Sequence, residues 1–364
     1  MKYYLPTKIY KGRNCLIENT DALILGTRAF VVTGRSSGRL SGALGDVEAA
    51  LKKHGIAYAV YDRIGNNPTV EECYEAGRSA ADFKADFVIG IGGGSPLDAA
   101  KAIAVYAVDP HMPPMDIYKC DYSAKPLPMA AIPTTAGTGS EVTQYSVLTV
   151  TADETKRSFS TEDTFYKVAF LDGKYTEKLP VQITRNTAVD TLSHLIESYT
   201  NTRATEMTEY IALEGMRLWG KKIKALTEGS FTENDRDDLL WASTLGGIVI
   251  AQTGTTIVHS MGYPLTFYKD IPHGMANGML LAEYLRKAEK MIPEKVSALL
   301  TSLGVETVNA LGEILRELLP NEYVFTKEET DKWVKTTVKA KNAATCPFDA
   351  SVEAETDIFE KALL

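Results

Sequence analysis

The sequence is poor in the features that mark exported, membrane-spanning or nucleic-acid-binding proteins. Only four of its 364 residues are cysteines, and they are widely scattered without any Cys-x-x-Cys spacing. This pattern predicts unpaired thiols in a reducing cytoplasm. Acidic residues outnumber basic ones by 47 to 39, a net charge of −8, which argues against a nucleic-acid partner.

Long apolar runs are also missing. Residues 1–14 contain no run suited to a signal peptide, so we expect no export. The stretch Leu239–Tyr268 lacks Asp, Glu, Lys and Arg, but it includes a histidine, several hydroxyls and five glycines or prolines. A bilayer span would be more uniformly apolar. We therefore expect a central, buried element and no membrane partner.

The first half of the chain alternates between strand-like and helix-like segments. Short apolar runs typical of strands occupy residues 29–33, 57–61, 86–91 and 129–132. Ala43–His54 and the segment after the capping box Thr69-Val-Glu-Glu72 have helical spacing. This alternation predicts βαβ units with a parallel sheet, and hence an α/β dinucleotide-binding domain over residues 1–178.

The second half is mostly helical in its apolar pattern. Candidate helices are Asn186–Thr200, Glu206–Leu226, Glu233–Gln252, Gly274–Ala288 and Glu294–Leu303. We predict an all-helical domain over residues 179–364, with a ligand site in a cleft between the two domains.

A glycine-rich turn follows the third predicted strand and reads Gly92-Gly93-Gly94-Ser95-Pro96-Leu97-Asp98. Three glycines allow the backbone to turn sharply and to approach a ligand closely. Ser95 is predicted as the helix N-cap, Pro96 as the first helical residue and Asp98 as the partner in a capping box. Free N–H groups at this helix start would bind a pyrophosphate. A tight turn without a ligand is the alternative.

Two further loops support a nucleotide site. The loop Pro133–Glu141 clusters hydroxyls and glycines after the fourth predicted strand, where open α/β sheets bind ligands. The turn Gly34–Arg39 follows the first strand and has no acid to accept hydrogen bonds from a ribose 2′-hydroxyl. Its two arginines, with Ser36 and Ser37, suit a 2′-phosphate, so NADP(H) is favoured over NAD(H). A solvated surface turn is the alternative.

Histidines are scarce, and three of the five lie close together in the helical half. Asp190 and His194 are four residues apart, so on a helix they share one face. With His259 and His273 they form a mixed oxygen and nitrogen set suited to Fe²⁺ or Zn²⁺. Core histidines and a plain Asp190–His194 ion pair are the alternative.

Four segments together carry a family resemblance. They are GGGSPLDAAK at 92–101, IPTTAGTGSEVT at 132–143, DTLSHLIE at 190–197 and IVHSMGYPLTFYKDIPHG at 257–274. Over nearly its whole length the chain resembles the iron-containing (group III) alcohol dehydrogenase family, and most of all its 1,3-propanediol dehydrogenase-type members. The resemblance implies a dehydroquinate synthase-like architecture: a dinucleotide-binding domain, a helical domain and a metal in the cleft.

The resemblance also assigns residues. It implies that Asp190, His194, His259 and His273 are the metal ligands, and that Gly34 occupies a position where NAD-preferring members tend to carry Asp. Further cofactor-binding residues fall into three groups: Gly93, Gly94, Ser95 and Asp98 near the phosphates and nicotinamide; Thr134, Thr135 and Thr138 along the cofactor; and Asn67 and Lys156 near its sugars.

One departure from the family pattern concerns the pocket. Many members have a second histidine four residues after the third ligand, whereas here His259 is followed by Tyr263. A histidine proton relay at that position is therefore absent. Tyr263 is a candidate pocket residue, but a neutral tyrosine, with a reference pKa of about 10, is a poor base near pH 7.

These observations predict a metal-dependent NAD(P)-linked alcohol dehydrogenase or aldehyde reductase that acts on short-chain alcohols, diols or aldehydes. In it the metal acts as a Lewis acid on the substrate oxygen, and hydride passes to or from the nicotinamide C4. The alternatives are a zinc-dependent polyol dehydrogenase of the glycerol type and a dehydroquinate synthase-like lyase. The family resemblance implies a homodimer.

Overall fold

A computed structural model describes residues 3–364, which form two compact units. The first is Tyr4–Leu179 and the second includes Pro180–Leu364. The first unit is α/β and the second is helical, so the predicted fold class is confirmed.

The first unit contains eight strands and six α-helices. In chain order these are β1 Lys8–Lys11, α1 Cys15–Glu18, α2 Thr20–Leu23, β2 Arg28–Gly34, α3 Ser37–Leu40, α4 Ala43–Lys53, β3 Ala57–Ile64, α5 Val70–Asp82, β4 Phe87–Gly92, α6 Gly94–Val108, β5 Met129–Pro133, β6 Ser146–Val150, β7 Thr155–Phe159 and β8 Val168–Leu171. Short 3-10 helices lie at Pro114–Lys119, Ser140–Val142, Thr151–Asp153, Glu162–Thr164 and Gly173–Thr176.

Six of the strands form a single parallel sheet in the order β1-β8-β5-β4-β2-β3. All four predicted strands are present in it. Next to the β3 edge of the sheet, Val31 of β2 pairs with Val60 of β3 on one side and with Ile89 of β4 on the other. Strands β4 and β5 are buried along their entire length, as expected for a parallel sheet covered on both faces.

The sequence pattern did not predict strands β1 and β8 of the main sheet or the hairpin β6–β7. β1 is a four-residue strand at the sheet edge whose end residues are exposed lysines, so its apolar signal is weak. β6 and β7 form a separate antiparallel pair outside the main sheet. Alternate residues of β6 are buried, a period-two pattern that could have revealed it.

The sheet order reverses between β2 and β4. The chain passes from β2 to β3 on one side and then returns to place β4 on the other side of β2. Open α/β sheets bind ligands at the carboxyl ends of the strands beside such a switch point. Here those ends are Gly34 and Gly92, so the two turns predicted to hold a cofactor are neighbours.

The predicted start of α6 was wrong by two residues. Gly93 is the N-cap, no side chain caps the helix, and the first helical hydrogen bond runs from the N–H of Leu97 to the Gly93 carbonyl. The turn closes early because Gly92 takes φ of 149°, a conformation open to glycine. The Ser95 hydroxyl therefore does not cap the helix but accepts a hydrogen bond from the Asn67 N–H at 3.1 Å.

A fully buried lysine connects α6 to the loop after β5. The ammonium group of Lys101 donates to the carbonyls of Ser140 and Tyr145, at 2.8 and 2.6 Å, and to the hydroxyls of Ser140 and Thr143. Burial lowers the pKa of Lys101 to about 8, against the opposing charges of Asp98 and Glu141. This side chain fixes the loop against the helix.

The second unit is built from ten α-helices. They are α7 Val181–Thr200, α8 Glu206–Gly220, α9 Ile223–Glu228, α10 Glu233–Thr253, α11 Ile257–Lys269, α12 His273–Met291, α13 Pro293–Leu303, α14 Val308–Leu318, α15 Lys327–Thr337 and α16 Val352–Leu363, with a 3-10 helix at Lys341–Thr345. Helix α7 is central: it packs on α8, α10 and α12, and every residue from Ala188 to Thr200 is buried.

One predicted helix, Glu206–Leu226, is in fact the two helices α8 and α9. The first ends at Gly220, where a Cβ would lie 2.2 Å from the carbonyl oxygen of Leu303. The backbone of α13 packs so closely there that only glycine fits.

The uncharged stretch Leu239–Tyr268 covers most of α10 and α11 and is largely buried, as expected. Within residues 3–364, no single helix has both the length and the apolar character to cross a membrane. The bent pair α13 and α14 meets that test on length and composition alone.

The first testable prediction concerns Glu355, a fully buried acid on α16. One of its oxygens accepts a hydrogen bond from the Thr337 hydroxyl, and burial raises its pKa to about 7. A folded-state pKa above the unfolded value means that stability is greatest below the unfolded pKa and falls as pH rises towards 7. Glu355→Gln should therefore stabilise the protein relative to wild type above neutral pH, by on the order of 2 kcal/mol. Urea unfolding of the two proteins between about pH 5 and pH 8 measures this. A difference in the free energy of unfolding that stays constant over this pH range would contradict the prediction.

The second prediction concerns the buried ammonium group. Lys101→Met leaves the carbonyls of Ser140 and Tyr145 without their donor, so the free energy of unfolding should fall by about 2–4 kcal/mol. The matched control is Lys119→Met, which removes an exposed lysine paired with Asp116 and should change stability by less than about 1 kcal/mol. Equal effects of the two substitutions in urea unfolding would refute the assigned role.

Candidate cofactor cradle and metal centre

The glycine-rich turn lies against the hydroxyl-rich loop. An added Cβ at Gly93 would lie 3.0 Å from the Thr135 hydroxyl, and one at Gly94 would lie 2.5 Å from the Thr138 methyl group. Side chains at either glycine would fill the space beside the N-terminus of α6. The bare backbone instead leaves N–H groups at a helix start, an arrangement that suits an anion.

Several predicted cofactor residues are joined directly. The backbone N–H of Asn67 bonds to Ser95, its side-chain oxygen accepts from the Lys156 ammonium at 2.7 Å, and its carbonyl accepts from the Thr149 hydroxyl. Asn67 itself has a left-handed φ of 53°. The hairpin β6–β7 thus brings Lys156 to Asn67, 89 positions away in the sequence, and Asn67 connects it to Ser95 of the glycine-rich turn.

Asp98 and Thr134 lie deeper in the same region. Asp98 accepts hydrogen bonds from the Ser140 hydroxyl at 2.6 Å and from the Val147 N–H at 3.0 Å, so the predicted capping box does not form. The N–H of Thr134 donates to the Gly92 carbonyl. Its hydroxyl is buried without a hydrogen-bond partner within residues 3–364. Asp98 therefore connects α6 to the loop after β5 and to β6 instead of capping the helix, and its contact with a cofactor stays a prediction.

The third predicted turn stands at the end of β2. Gly34 is the last residue of the strand, Ser36 is the N-cap of α3 and Ser37 is its first residue. Arg39, on the same short helix, pairs with Asp62 at 3.4 Å. Asp62 was not among the predicted residues, and its charge offsets one of the two arginines of the turn.

Helix α7 carries three buried ionisable side chains on one face. Asp190, His194 and Glu197 are separated by four and then three residues, a spacing that aligns them along the helix. Counted over whole residues, all three are at most 4% exposed. The i, i+4 spacing indicated the first two, while extending it by three residues would have indicated Glu197, which was not among the predicted site residues.

Two neighbouring helices bring the other histidines. His259 lies in the first turn of α11 and His273 is the first residue of α12. Their Nε2 atoms are 3.9 and 3.7 Å from the nearer oxygen of Asp190. One donor atom from each of the three residues lies within 4.8 Å of the other two. The third predicted histidine, His194, is outside that group, but its ring stacks on His259 with centroids 4.7 Å apart.

The donor set fits a divalent transition ion. Two ligands at about 2.1 Å from a tetrahedral ion are separated by about 3.4 Å, close to the distances seen here. Burial alone would raise the pKa of Asp190, but His194, His273 and His259, together with the Asn277 amide, hold it below its usual value. An ionised carboxylate therefore faces the imidazoles, as a metal site requires.

Asn277 is a second residue of the centre that the sequence pattern did not indicate. It lies one helical turn after His273 on α12 and is fully buried. Its amide nitrogen is 3.1 Å from the Asp190 oxygen and 3.3 and 3.2 Å from the Nε2 atoms of His259 and His273. Gly262 makes room for it, because a Cβ there would lie 2.2 Å from the Asn277 oxygen.

Glu197 holds His259 from the side opposite Asp190. One carboxylate oxygen accepts from the N–H and the hydroxyl of Thr256, at 2.8 and 2.7 Å, and the other bonds to Nδ1 of His259. Burial alone would raise the pKa of Glu197, but His259 and Thr256 hold it below its usual value.

Tyr263 is placed beside the cluster, one turn after His259. Its ring stacks on that of His273 with centroids 5.7 Å apart and planes 23° from parallel. The residue that stands in for the second histidine of the family pattern thus packs against a candidate ligand.

Comparisons with known proteins show the family to which the chain is similar. The family model for iron-containing alcohol dehydrogenase matches residues 6–173, and that for the C-terminal part of the Fe-containing alcohol dehydrogenase family matches residues 184–363. The crystal structure of an iron-containing alcohol dehydrogenase from Thermotoga maritima is 37% identical, with a TM-score of 0.93 over 100% of this chain and 99% of that one.

Two more distant proteins extend the comparison. A 1,3-propanediol oxidoreductase structure is 25% identical, with a TM-score of 0.89 over 100% of this chain and 99% of that one. An NADPH-dependent butanol dehydrogenase from Clostridium saccharobutylicum is 28% identical over 87% of this chain and 83% of its own length. The resemblance predicted from four short segments is therefore confirmed, and the chain belongs to the iron-containing alcohol dehydrogenase family.

Proposed function

We propose that this protein is a metal-dependent, NAD(P)-linked alcohol dehydrogenase and aldehyde reductase for short-chain alcohols, diols or aldehydes. The observation that carries the proposal is the meeting of one carboxylate and two imidazoles, from Asp190, His259 and His273, in the second unit. The names of two similar proteins, a butanol dehydrogenase and a 1,3-propanediol oxidoreductase, support a short alcohol as substrate.

Four residues would hold the metal: Asp190, His259, His273 and, by a small movement of its stacked ring, His194. Iron is proposed on the basis of family membership, with zinc as the alternative, because both ions accept this ligand set. When bound, the divalent ion would supply Lewis-acid stabilisation at the substrate oxygen, and a nicotinamide would supply or accept the hydride.

The remaining task of the protein is to position the reactants and to exclude water. The side chains of Asp190 and His259 are only 5% exposed, whereas that of His273 is 25% exposed. A substrate oxygen would therefore approach from the side of His273 and Tyr263. The Tyr263 hydroxyl would orient a substrate by hydrogen bonding rather than act as a base.

The cofactor would be held by the first unit. The helix start at Gly93 and Gly94 would receive its phosphates, and the linked Asn67 and Lys156 would contact a ribose. Ser36 and Ser37 at the end of β2 favour a 2′-phosphate, and no acid occupies the Gly34 position. We therefore propose NADP(H) as the preferred cofactor.

Two further proposals concern the compartment and the assembly of the protein. The four cysteines are free and three of them are buried, which suits a reducing cytoplasm. Family membership supports a homodimer, and sedimentation of the purified protein would test it.

The third prediction tests the reaction itself. Protein stripped of metal under anaerobic conditions should lose NADPH-linked reduction of short aldehydes and regain it with Fe²⁺ or Zn²⁺. His273→Ala should remain inactive after the same treatment, because it loses a ligand, and elemental analysis should show a reduced metal content. Normal turnover with full metal occupancy in this variant would reject the ligand role. Unchanged activity of the stripped wild type would reject metal dependence.

The fourth prediction tests cofactor preference. Gly34→Asp places a carboxylate at the end of β2, where it would repel a 2′-phosphate and accept bonds from a 2′-hydroxyl. The new Cβ meets only the Ser37 hydroxyl at 2.9 Å, a group that can rotate away. The ratio of kcat/KM for NADPH to that for NADH should fall at least about tenfold, equal to about 1.4 kcal/mol.

The matched control is Gly34→Asn, which has nearly the same shape without the charge. It should change the ratio far less than Gly34→Asp. If the ratio changes equally in the two variants, the size of the new side chain and not its charge causes the effect. If the ratio changes in neither, the 2′ group of the cofactor ribose does not lie near residue 34.

A further inference from the structure

Glu197 is a fully buried carboxylate on α7 whose two oxygens are both hydrogen-bonded to the start of α11. It has no exposed surface. One oxygen accepts from the Thr256 N–H, the Thr256 hydroxyl and, at 3.4 Å, the His259 N–H. The second oxygen bonds to the His259 ring through Nδ1.

The bonds of Glu197 to Thr256 and to the His259 N–H cap the N-terminus of α11 with a side chain from another helix, α7. Thr256 is the N-cap of α11, and its own side chain makes no capping bond. The N–H groups at this end would otherwise lack acceptors in the interior. A carboxylate here also interacts favourably with the positive end of the helix. Glu197 on α7 therefore fixes the start of α11, the turn that carries His259.

The second bond determines where the ring proton lies. A carboxylate can only accept hydrogen bonds, so Nδ1 of His259 must be the protonated nitrogen. In the neutral ring the lone pair is then on Nε2, the atom that lies 3.9 Å from Asp190 and faces the candidate ligand set. The opposite tautomer would place a hydrogen where a metal ion must bind.

We propose that Glu197 is a positioning residue that fixes both the backbone and the ring tautomer of His259, so that the metal site is assembled before an ion binds. This inference rests on the proposed function. Carboxylates that hold a metal-ligating histidine in this manner typically contribute about 10-fold to 100-fold in metal affinity.

The test uses Co²⁺ as a spectroscopic probe on the full-length, metal-stripped protein. Glu197→Gln keeps the size of the side chain, but its amide cannot accept from Thr256 and from His259 at once. Its Co²⁺ affinity, measured by competition with a chelator, should fall about 10-fold to 100-fold, and the visible absorption bands should change. Glu197→Asp, which keeps the charge, should recover part of the affinity.

The matched control is Glu355→Gln, which alters another fully buried glutamate of the same unit, one bonded to a threonine rather than to a histidine. It should bind Co²⁺ as wild type does. Lower stability of Glu197→Gln with wild-type Co²⁺ affinity and spectrum would mean a purely structural role and would overturn the inference.

A measurement on the wild-type protein keeps the inference testable even if the variants fail to fold. Imidazole ¹⁵N spectra of the metal-free protein, which has five histidines, should show the His259 ring protonated at Nδ1. An Nε2-protonated ring would overturn the inference. The proposed function fails in a different way: wild-type protein would then bind no Co²⁺ at all.

Discussion

Helix α7 buries two carboxylates, and the arrangement of the second unit depends on how those charges are satisfied. An unpaired charge inside a protein costs several kcal/mol, so partners must be brought to it. Asp190 is surrounded by three imidazoles and an amide, while Glu197 takes the hydrogen bonds at the start of α11. Because both acids lie on one helix face, α11 and α12 must deliver their histidines to the same place. The same buried carboxylates thus determine how these helices pack and which side chains meet at the candidate site.

A comparable constraint governs the first unit, where the strands of a parallel sheet all end at the same edge. Loops that follow β2, β4 and β5 therefore converge without any need for a long-range signal in the sequence. Glycines at 93 and 94 keep the space beside α6 open, and Lys101 holds the loop after β5 against that helix. The buried lysine explains how a loop rich in glycine and hydroxyls keeps one conformation.

Apolar spacing and capping residues in the sequence predicted the strands and helices whose formation depends mainly on neighbouring residues. The strands β2 to β5, the capping box at Thr69 and most of the long helices of the second unit follow from apolar spacing and end signals. The start of α6 depends on the positive φ of Gly92, and the break after Gly220 depends on close backbone packing; apolar spacing reports neither. Asp190 and His194 could be predicted because four residues separate them on a helix. The contact between Asn67 and Lys156 could not, since only the family resemblance pointed to these residues.

The charge of the candidate centre also favours a divalent ion. Neighbouring imidazoles help to hold the pKa values of Asp190 and Glu197 below their usual ranges. With both acids ionised, the carboxylates would contribute two negative charges to the centre. Metal-binding imidazoles are neutral, and Tyr263 adds a neutral ring where the family pattern has another histidine. A divalent cation balances this set, whereas a monovalent or trivalent ion would leave a net charge buried among apolar helices. Beside its proposed positioning role, the charge of Glu197 would therefore help to bring the buried centre to electrical neutrality once a divalent ion is bound.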